Sequence, residues 1–436
     1  MSESFNRRVH LVAHFPGVNS QTVWSDPRSG SQIDFDSFRH FAQTAERGLF
    51  DYVFLAEGLR LREQKGQLLE LDVAGRPNTL SILAALAAVT ERVGLVGTLS
   101  ATFNEPVELA RQLASIDALS GGRSGWNVVT SPDAFHGGNF RRGGFLPYEE
   151  RYERAAEIVD TAKRIWAAPG EHVDVNGKHF SVSLDANQPA SPQGHPVIVQ
   201  AGDSPAGRDF AASHAEVIFT RHGADDAARA FYSDVHQRLA AAGRSPESLL
   251  ILPGASFVLG DSEKDAAEKA AHIASQQVSG GTAISVLEQV WGRDLSDLDP
   301  DGPLPSFDPV ESTIRNGQVR HYPNPQATAD EWRAKAAEEG LSAREVVIST
   351  TQKPAFLGTA SQVARQIAHS VNTRASDGFV LVPHLIPTGL DEFVDTVIPE
   401  LQDLGVYPDS YGGTTLRDHL GLPQPAGFPG SQAVPA

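Results

Sequence analysis

Short apolar runs alternate along the chain with longer stretches in which apolar positions recur every three or four residues. Eight runs read as strands: VHLVAHF (9–15), YVFLAE (52–57), VGLVGTLS (93–100), WNVVTS (126–131), PVIVQAG (196–202), EVIFTRH (216–222), LLILPGASFVL (249–259) and DGFVLVPHL (377–385). Most are near-continuous in Val, Ile and Leu, the pattern of parallel strands covered on both faces. Helices are predicted over 34–49, 79–92, 105–119, 148–166, 204–215, 225–242 and 390–404. In the fourth, Tyr152, Ala155, Val159, Ala162 and Trp166 make an apolar stripe, while Glu150, Glu153, Arg154, Glu157 and Arg164 cluster on the opposite face. Eight strands, most followed by a helix, predict a (β/α)8 barrel of the TIM type rather than a doubly wound sheet.

A plain barrel takes roughly 250 residues, so a 436-residue chain must carry insertions. They are expected near 16–33, 58–78, 132–147, 169–195 and 279–350, within one domain over 1–420. In the last of them SVLEQVWG and TADEWRAKAAEEG read as helical, and DLSDLDPDGPLPSFDP as loop. The tail 421–436, rich in Pro and Gly with little to bury, is expected to be poorly ordered. A formal net charge of −18 opposes a nucleic-acid partner. The absence of cysteine excludes disulfides, thiolate nucleophiles and Cys-ligated metals. No apolar run approaches the roughly 18 residues of a membrane span, and the N-terminus has no h-region, so a cytoplasmic enzyme is expected.

In such a barrel, chemistry gathers at the C-terminal ends of the strands, which makes His14, Glu57, Thr98, Asn127, Thr130, Gly202, His222 and His384 the first candidates. Glu57 can accept hydrogen bonds from a ligand or act as a base; it can equally pair with Arg60 or Arg62. In QAGDSPAGRDF, Ser204 is an N-cap type and Pro205 suits the first helical position, so a helix opens directly after Gly202. Free N–H groups there can bind a phosphate, although simple capping explains the same residues and Asp203 opposes an anion unless it turns away. His136 lies in a loop, either catalytic or at the surface. His10 and His14 on one strand stand about 13 Å apart, and no HxH or HExxH pattern is present, so no metal is expected. GxSxG, Walker A and strand-associated GxGxxG motifs are missing.

Three stretches together, ATFNEPVELARQLASIDALSGGRSGWNVVTS, LPYEERYERAAEIVDTAKRIW and PVIVQAGDSPAGRDFAASHAEVIFT, resemble the bacterial luciferase-like flavin monooxygenases, in the branch of nitrilotriacetate, dibenzothiophene-sulfone and long-chain alkane monooxygenases. The resemblance runs from about residue 8 to 405. It implies FMN used as FMNH2, supplied by a separate NAD(P)H-dependent flavin reductase. It further implies that O2 reacts through a flavin C4a-peroxide, that a small organic substrate is oxygenated, and that the chain assembles as a homodimer or homotetramer.

Carried onto this chain, the resemblance makes Glu57 the acidic residue near the flavin, usually Asp, and Thr98 a flavin contact. Asn127, Thr130 and Ser131 line the isoalloxazine side. Tyr152, Gly202 and Ser204 fall at the phosphate, where relatives often read His-Asp-Glu-Arg-Tyr and this chain has Tyr148 in place of the His. A phenol donates one hydrogen bond but brings no positive charge. The first loop keeps Trp24 but has Ser25 at an Arg position, so a relative's substrate does not transfer. Phe15, Trp24, Phe54, Phe103 and Phe257 are candidate apolar walls, and His14, His136 and His222 candidate catalytic residues. Alternatives from other classes are a deazaflavin-dependent oxidoreductase of the same fold, a non-catalytic flavin-binding protein, and a glycosidase. The last would need a second carboxylate about 5–9.5 Å from Glu57.

Overall fold

A computed structural model describes residues 5–16, 20–23, 25–64, 67–68, 73–131, 138–140, 146–147, 150–223, 225–310, 322 and 324–428. Eight parallel strands close into a barrel in chain order: β1 (His10–Phe15), β2 (Tyr52–Leu55), β3 (Gly94–Ser100), β4 (Ser124–Val129), β5 (Val197–Gln200), β6 (Val217–Thr220), β7 (Leu250–Ala255) and β8 (Gly378–Leu381). Each lies within or overlaps one of the predicted runs. The two-residue period of a strand sorts the side chains. Val12, Phe54, Val96, Val199, Val217, Leu252 and Val380 fill the interior, while Leu11, Ala13, Val53 and Leu95 face outward into the core beneath the helices.

The covering helices are α1 (Phe35–Arg47), α2 (Thr79–Ala87), α3 (Pro106–Ser120), α4 (Glu150–Ala167), α5 (Pro205–His214), α6 (Asp225–Ala241), α7 (Glu263–Gln277), α8 (Gly280–Trp291), α9 (Pro325–Glu339), α10 (Ala343–Thr351), α11 (Ala360–Asn372) and α12 (Asp391–Asp403). Helices α8 to α10 form the 279–350 insertion around their own core of Val286, Leu287, Trp291, Trp332 and Val347. The 169–195 segment is an antiparallel hairpin, His172–Asn176 with Ser181–Asp185.

Three expectations change. The run 249–259 is two strands, because Phe257–Leu259 leaves the barrel to pair with Phe356–Gly358 and carries Phe257 and Leu259 into the outer core. The charged back of α4 is only partly solvated: Glu153 and Arg164 are exposed, but Arg154 is buried, with its guanidinium 4.1 Å over the Phe180 ring. Glu157 accepts from the main-chain N–H groups of Lys178, His179 and Phe180, so the hairpin tip docks there. Finally, the tail is packed over 421–428. Leu422 joins Leu416 and Leu420 in closing the bottom of the barrel, and the Pro423 carbonyl accepts from buried Arg417. Residues 429–436 lie outside the described residues. A Cβ on Gly94 would meet Leu416 at 2.5 Å, so this glycine leaves room for the plug.

The same plug carries an acid-sensitive lock. Arg417 pairs with Glu216 at 2.5 Å and donates to the Gln193 carbonyl. Burial opposes ionisation of Glu216, but His195, Arg417 and Lys163 hold it down to about 2. Burial pushes His195 down to about 4, so it is neutral in the fold. Between pH 4 and its ordinary value near 6.5 the unfolded chain therefore binds the His195 proton and the native state does not. Stability is complete above pH 6.5 and falls as the pH drops toward 4, by roughly 3 kcal/mol from this group. Glu216 acts in the same direction from its ordinary range down to about 2. Thermal melts across pH 4–8 should show this slope, and His195→Gln should reduce it between pH 4 and 6.5, leaving the part set by His14 and His384, which burial also pushes down to about 4.

Candidate active site

The barrel mouth is built on inward-facing residues at the strand ends. Thr98 on β3 and Asn127 on β4 are adjacent in register, and Asn127 Nδ2 donates to Thr98 Oγ1 at 3.0 Å. Both are buried. Asn127 Oδ1 is left buried with no hydrogen-bond partner, a costly state that a ligand N–H relieves. Trp126, one residue earlier, faces the helices and donates through Nε1 to the Leu99 carbonyl at 3.1 Å, so this strand sends an indole into the wall and an amide into the mouth.

Beside this pair lies an aromatic floor. His14 stacks on Phe54 at 4.8 Å between ring centroids, and Phe219 lies 6.0 Å from Phe54. Gly254 leaves space for the Phe219 ring, which a Cβ there would meet at 3.0 Å. Burial pushes His14 down to about 4, so the imidazole is neutral at pH 7. Its Nδ1 lies 3.3 Å from the Phe54 carbonyl; a carbonyl only accepts, which puts the proton on Nδ1 and leaves Nε2 with its lone pair.

A second polar cluster sits where β5 meets α5. Ser204 caps α5, its Oγ accepting from Gly207 N at 3.1 Å, with Pro205 at the first helical position. Tyr152 of α4 brings its hydroxyl against two glycines: a Cβ on Gly202 would lie 2.9 Å from it, and one on Gly207 2.8 Å. Gln200 folds over Gly202 and keeps a buried Oε1 with no partner. Asp203 turns to His222 Nε2 at 2.7 Å and to the Arg221 guanidinium at 3.4 Å, so it does not hold the helix start against an anion. Glycine-lined backbone, a helix N-terminus, two hydroxyls and an amide bring together the kinds of donor that bind a phosphate.

The remaining candidates are dispersed. Glu57 follows β2 with its carboxylate 3.4 Å from the Thr79 N–H at the start of α2, and burial raises its pKa. Ser131 donates to Ser100 Oγ at 2.9 Å, and the Thr130 carbonyl accepts from Arg151 at 3.4 Å, so both stiffen the strand end. His222 is tied to Asp203, and His384 lines a separate cavity of about 910 Å3 with Ser25 and Arg28; the strand-end histidines do not converge. Among the described residues no group of three or more His, Cys, Asp or Glu side chains is arranged around a metal position. Phe103 stacks on Phe140 at 4.6 Å, whereas Phe15 and Phe257 belong to the core. His136, Tyr148 and Trp24 lie outside the described residues. Sequence reasoning passed over Gln200 and Phe219. Phe219 was signalled by its inward parity in VIFT, and Gln200 only by ending the run before Ala-Gly.

A closed parallel barrel with the buried, unsatisfied acceptors of Asn127 and Gln200 at strand C-termini has the architecture of a (β/α)8 enzyme. Residues 16–377 match the luciferase-like monooxygenase family. The chain is 36% identical to N-acetyl-S-(2-succino)cysteine monooxygenase of Bacillus subtilis, covering 97% of this chain and 98% of that protein. It is also 36% identical to nitrilotriacetate monooxygenase component A of Aminobacter aminovorans, covering 90% and 91%. Among solved structures, that of riboflavin lyase with modified FMN and substrate riboflavin superposes with a TM-score of 0.78 at 26% identity, over 98% of this chain and 100% of that one. The chain belongs to the luciferase-like monooxygenase family and is a monooxygenase.

Proposed function

We propose that this chain is the oxygenase component of a two-component system, acting on a small organic substrate with O2 and with FMNH2 received from a separate NAD(P)H-dependent flavin reductase. The single observation that carries this reading is the buried, partnerless Asn127 Oδ1 beside Thr98 at the barrel mouth. An acceptor there suits the N–H groups that a reduced isoalloxazine ring has at N1 and N5 and the oxidised ring lacks. The name of the Aminobacter relative, a component A, and the modified FMN in the riboflavin lyase structure support the same reading.

Reduced FMN brings two electrons, so that O2 and the substrate give an oxygenated product and one water. The chain's own side chains bind, orient and shield. Ser204, Tyr152 and the backbone at Gly202 and Gly207 would hold the phosphate; Asn127 and Thr98 would orient the ring. Phe54 and Phe219 would keep water from the ring, and the neutral His14 would offer its Nε2 lone pair to a ligand hydrogen. The chain works as a homodimer or homotetramer. The two relatives' names carry different substrates, and the atom oxidised, carbon, nitrogen or sulfur, is read from the product. The test is a turnover with reductase, NADH, FMN and isotopically labelled dioxygen over sulfones, amines, aminopolycarboxylates and halogenated aromatics. One labelled oxygen atom in a product that forms only with this chain is the expected result; NADH oxidation that yields hydrogen peroxide with every substrate class rejects it.

A further inference from the structure

The barrel face opposite the mouth holds another concavity, of about 940 Å3, within the size range of small-ligand sites. It lies between the chain entering β1, one face of α6, the end of α11 and the C-terminal segment. In a chain of formal net charge −18, its wall carries Arg7, Arg8, Arg229 and Arg374 against only two carboxylates, Asp377 and Glu247. Both carboxylates are committed. Asp377 accepts from Arg7, the Tyr232 hydroxyl and the Ile251 N–H, and Glu247 accepts from Ser245. Arg8 is likewise engaged, by Asp51 and the His419 carbonyl.

Two groups are not, and a third is held only at the surface. The exposed Arg374 side chain makes no hydrogen bond or ion pair with the described residues. Arg229 has only an exposed pair with Asp226, which water screens. His236, stacked on Tyr232 at 4.4 Å, keeps a buried Nε2 with no partner and lies within the field of Arg7 and Arg374. The backbone adds an independent sign. Arg374 sits at φ 59° after α11, its N–H bonded to the Val371 carbonyl and that of Ala375 to Ser370. This is a helix-terminating turn at which glycine is the favoured residue, yet the chain spends the position on a guanidinium.

We propose that this concavity binds a multiply charged oxyanion, phosphate or carboxylate, on Arg374 and Arg229 with His236 behind it. The planar guanidinium fork suits either group. Isothermal titration calorimetry of the full chain in a phosphate-free amine buffer, with pyrophosphate and citrate as separate probes, tests it. Saturable binding of at least one is expected. Pyrophosphate alone identifies a phosphate ligand, and citrate alone a carboxylate. Arg374→Gly should weaken binding at least tenfold while the Tm of the ligand-free protein stays level or rises, because glycine suits the turn; Arg229→Ala should weaken binding as well. No saturable heat with either probe, or binding that Arg374→Gly leaves unchanged, overturns the proposal.

Discussion

Asn127→Ala should weaken FMNH2 binding by about 10- to 100-fold while shifting stability by no more than about 1 kcal/mol. The asymmetry follows from what the amide does in the free protein. Its Nδ2 makes one hydrogen bond, to Thr98 Oγ1, and its Oδ1 makes none. Alanine therefore removes one bond and one unsatisfied acceptor, which largely offset each other in the folded chain. With reduced flavin in place, the same substitution removes an acceptor that a ring N–H has claimed. Oxidised FMN, without those N–H groups, should lose less affinity. Anaerobic fluorescence titration and thermal melts of the same preparations check both halves; a large drop in Tm with unchanged flavin affinity would reassign Asn127 to the core.

The second large effect concerns the phosphate. The Ser204 cap, the Tyr152 hydroxyl and the Gly202–Gly207 backbone converge on one spot, and charge-assisted bonds to an anion contribute about 1.5–3 kcal/mol each. FMNH2 should bind on the order of 100-fold more tightly than reduced riboflavin, the same ring without the phosphate. Gly207→Ala puts a Cβ 2.8 Å from the Tyr152 hydroxyl and 3.0 Å from the Gly202 backbone, so it should erase most of that ratio by lowering FMNH2 affinity alone. Ser204→Ala should reduce the ratio about tenfold and cost about 1 kcal/mol of stability through the lost cap. Equal loss for both flavins in either variant would remove the phosphate from this cradle.

The barrel was legible because its strands are buried on both faces and so read as unbroken Val, Ile and Leu runs. The two-residue period then places Asn127 inward and Trp126 outward without any coordinates. Less was legible where burial comes from distant chain. Arg154 reads as a surface charge until the hairpin 172–185 lies over it. Helix α7 buries little beyond Ala266, Ala274 and Gln277 and so shows no apolar stripe. By contrast α11, with its Thr359 capping box and Val363, Ile367 and Val371 on one face, carried a readable pattern that went unassigned. At the candidate site, strand-end position and residue type pointed to Ser204, Gly202 and the Thr98–Asn127 pair, and the family resemblance alone to Tyr152. Which atoms lack partners is a property of the assembled neighbourhood, so the open acceptors of Asn127 and Gln200 had no signal in the chain. The same holds for Arg7, Arg229 and Arg374, which come together only when β1, α6 and α11 meet at the barrel base.

The central claim is that the mouth receives reduced FMN, and anaerobic equilibrium titration of the full chain with FMNH2, oxidised FMN and a reduced deazaflavin tests it most directly. Saturable FMNH2 binding at least tenfold tighter than that of oxidised FMN is expected, with no comparable affinity for the deazaflavin. Oxidised FMN bound as tightly as FMNH2, or a preference for the deazaflavin, would contradict it.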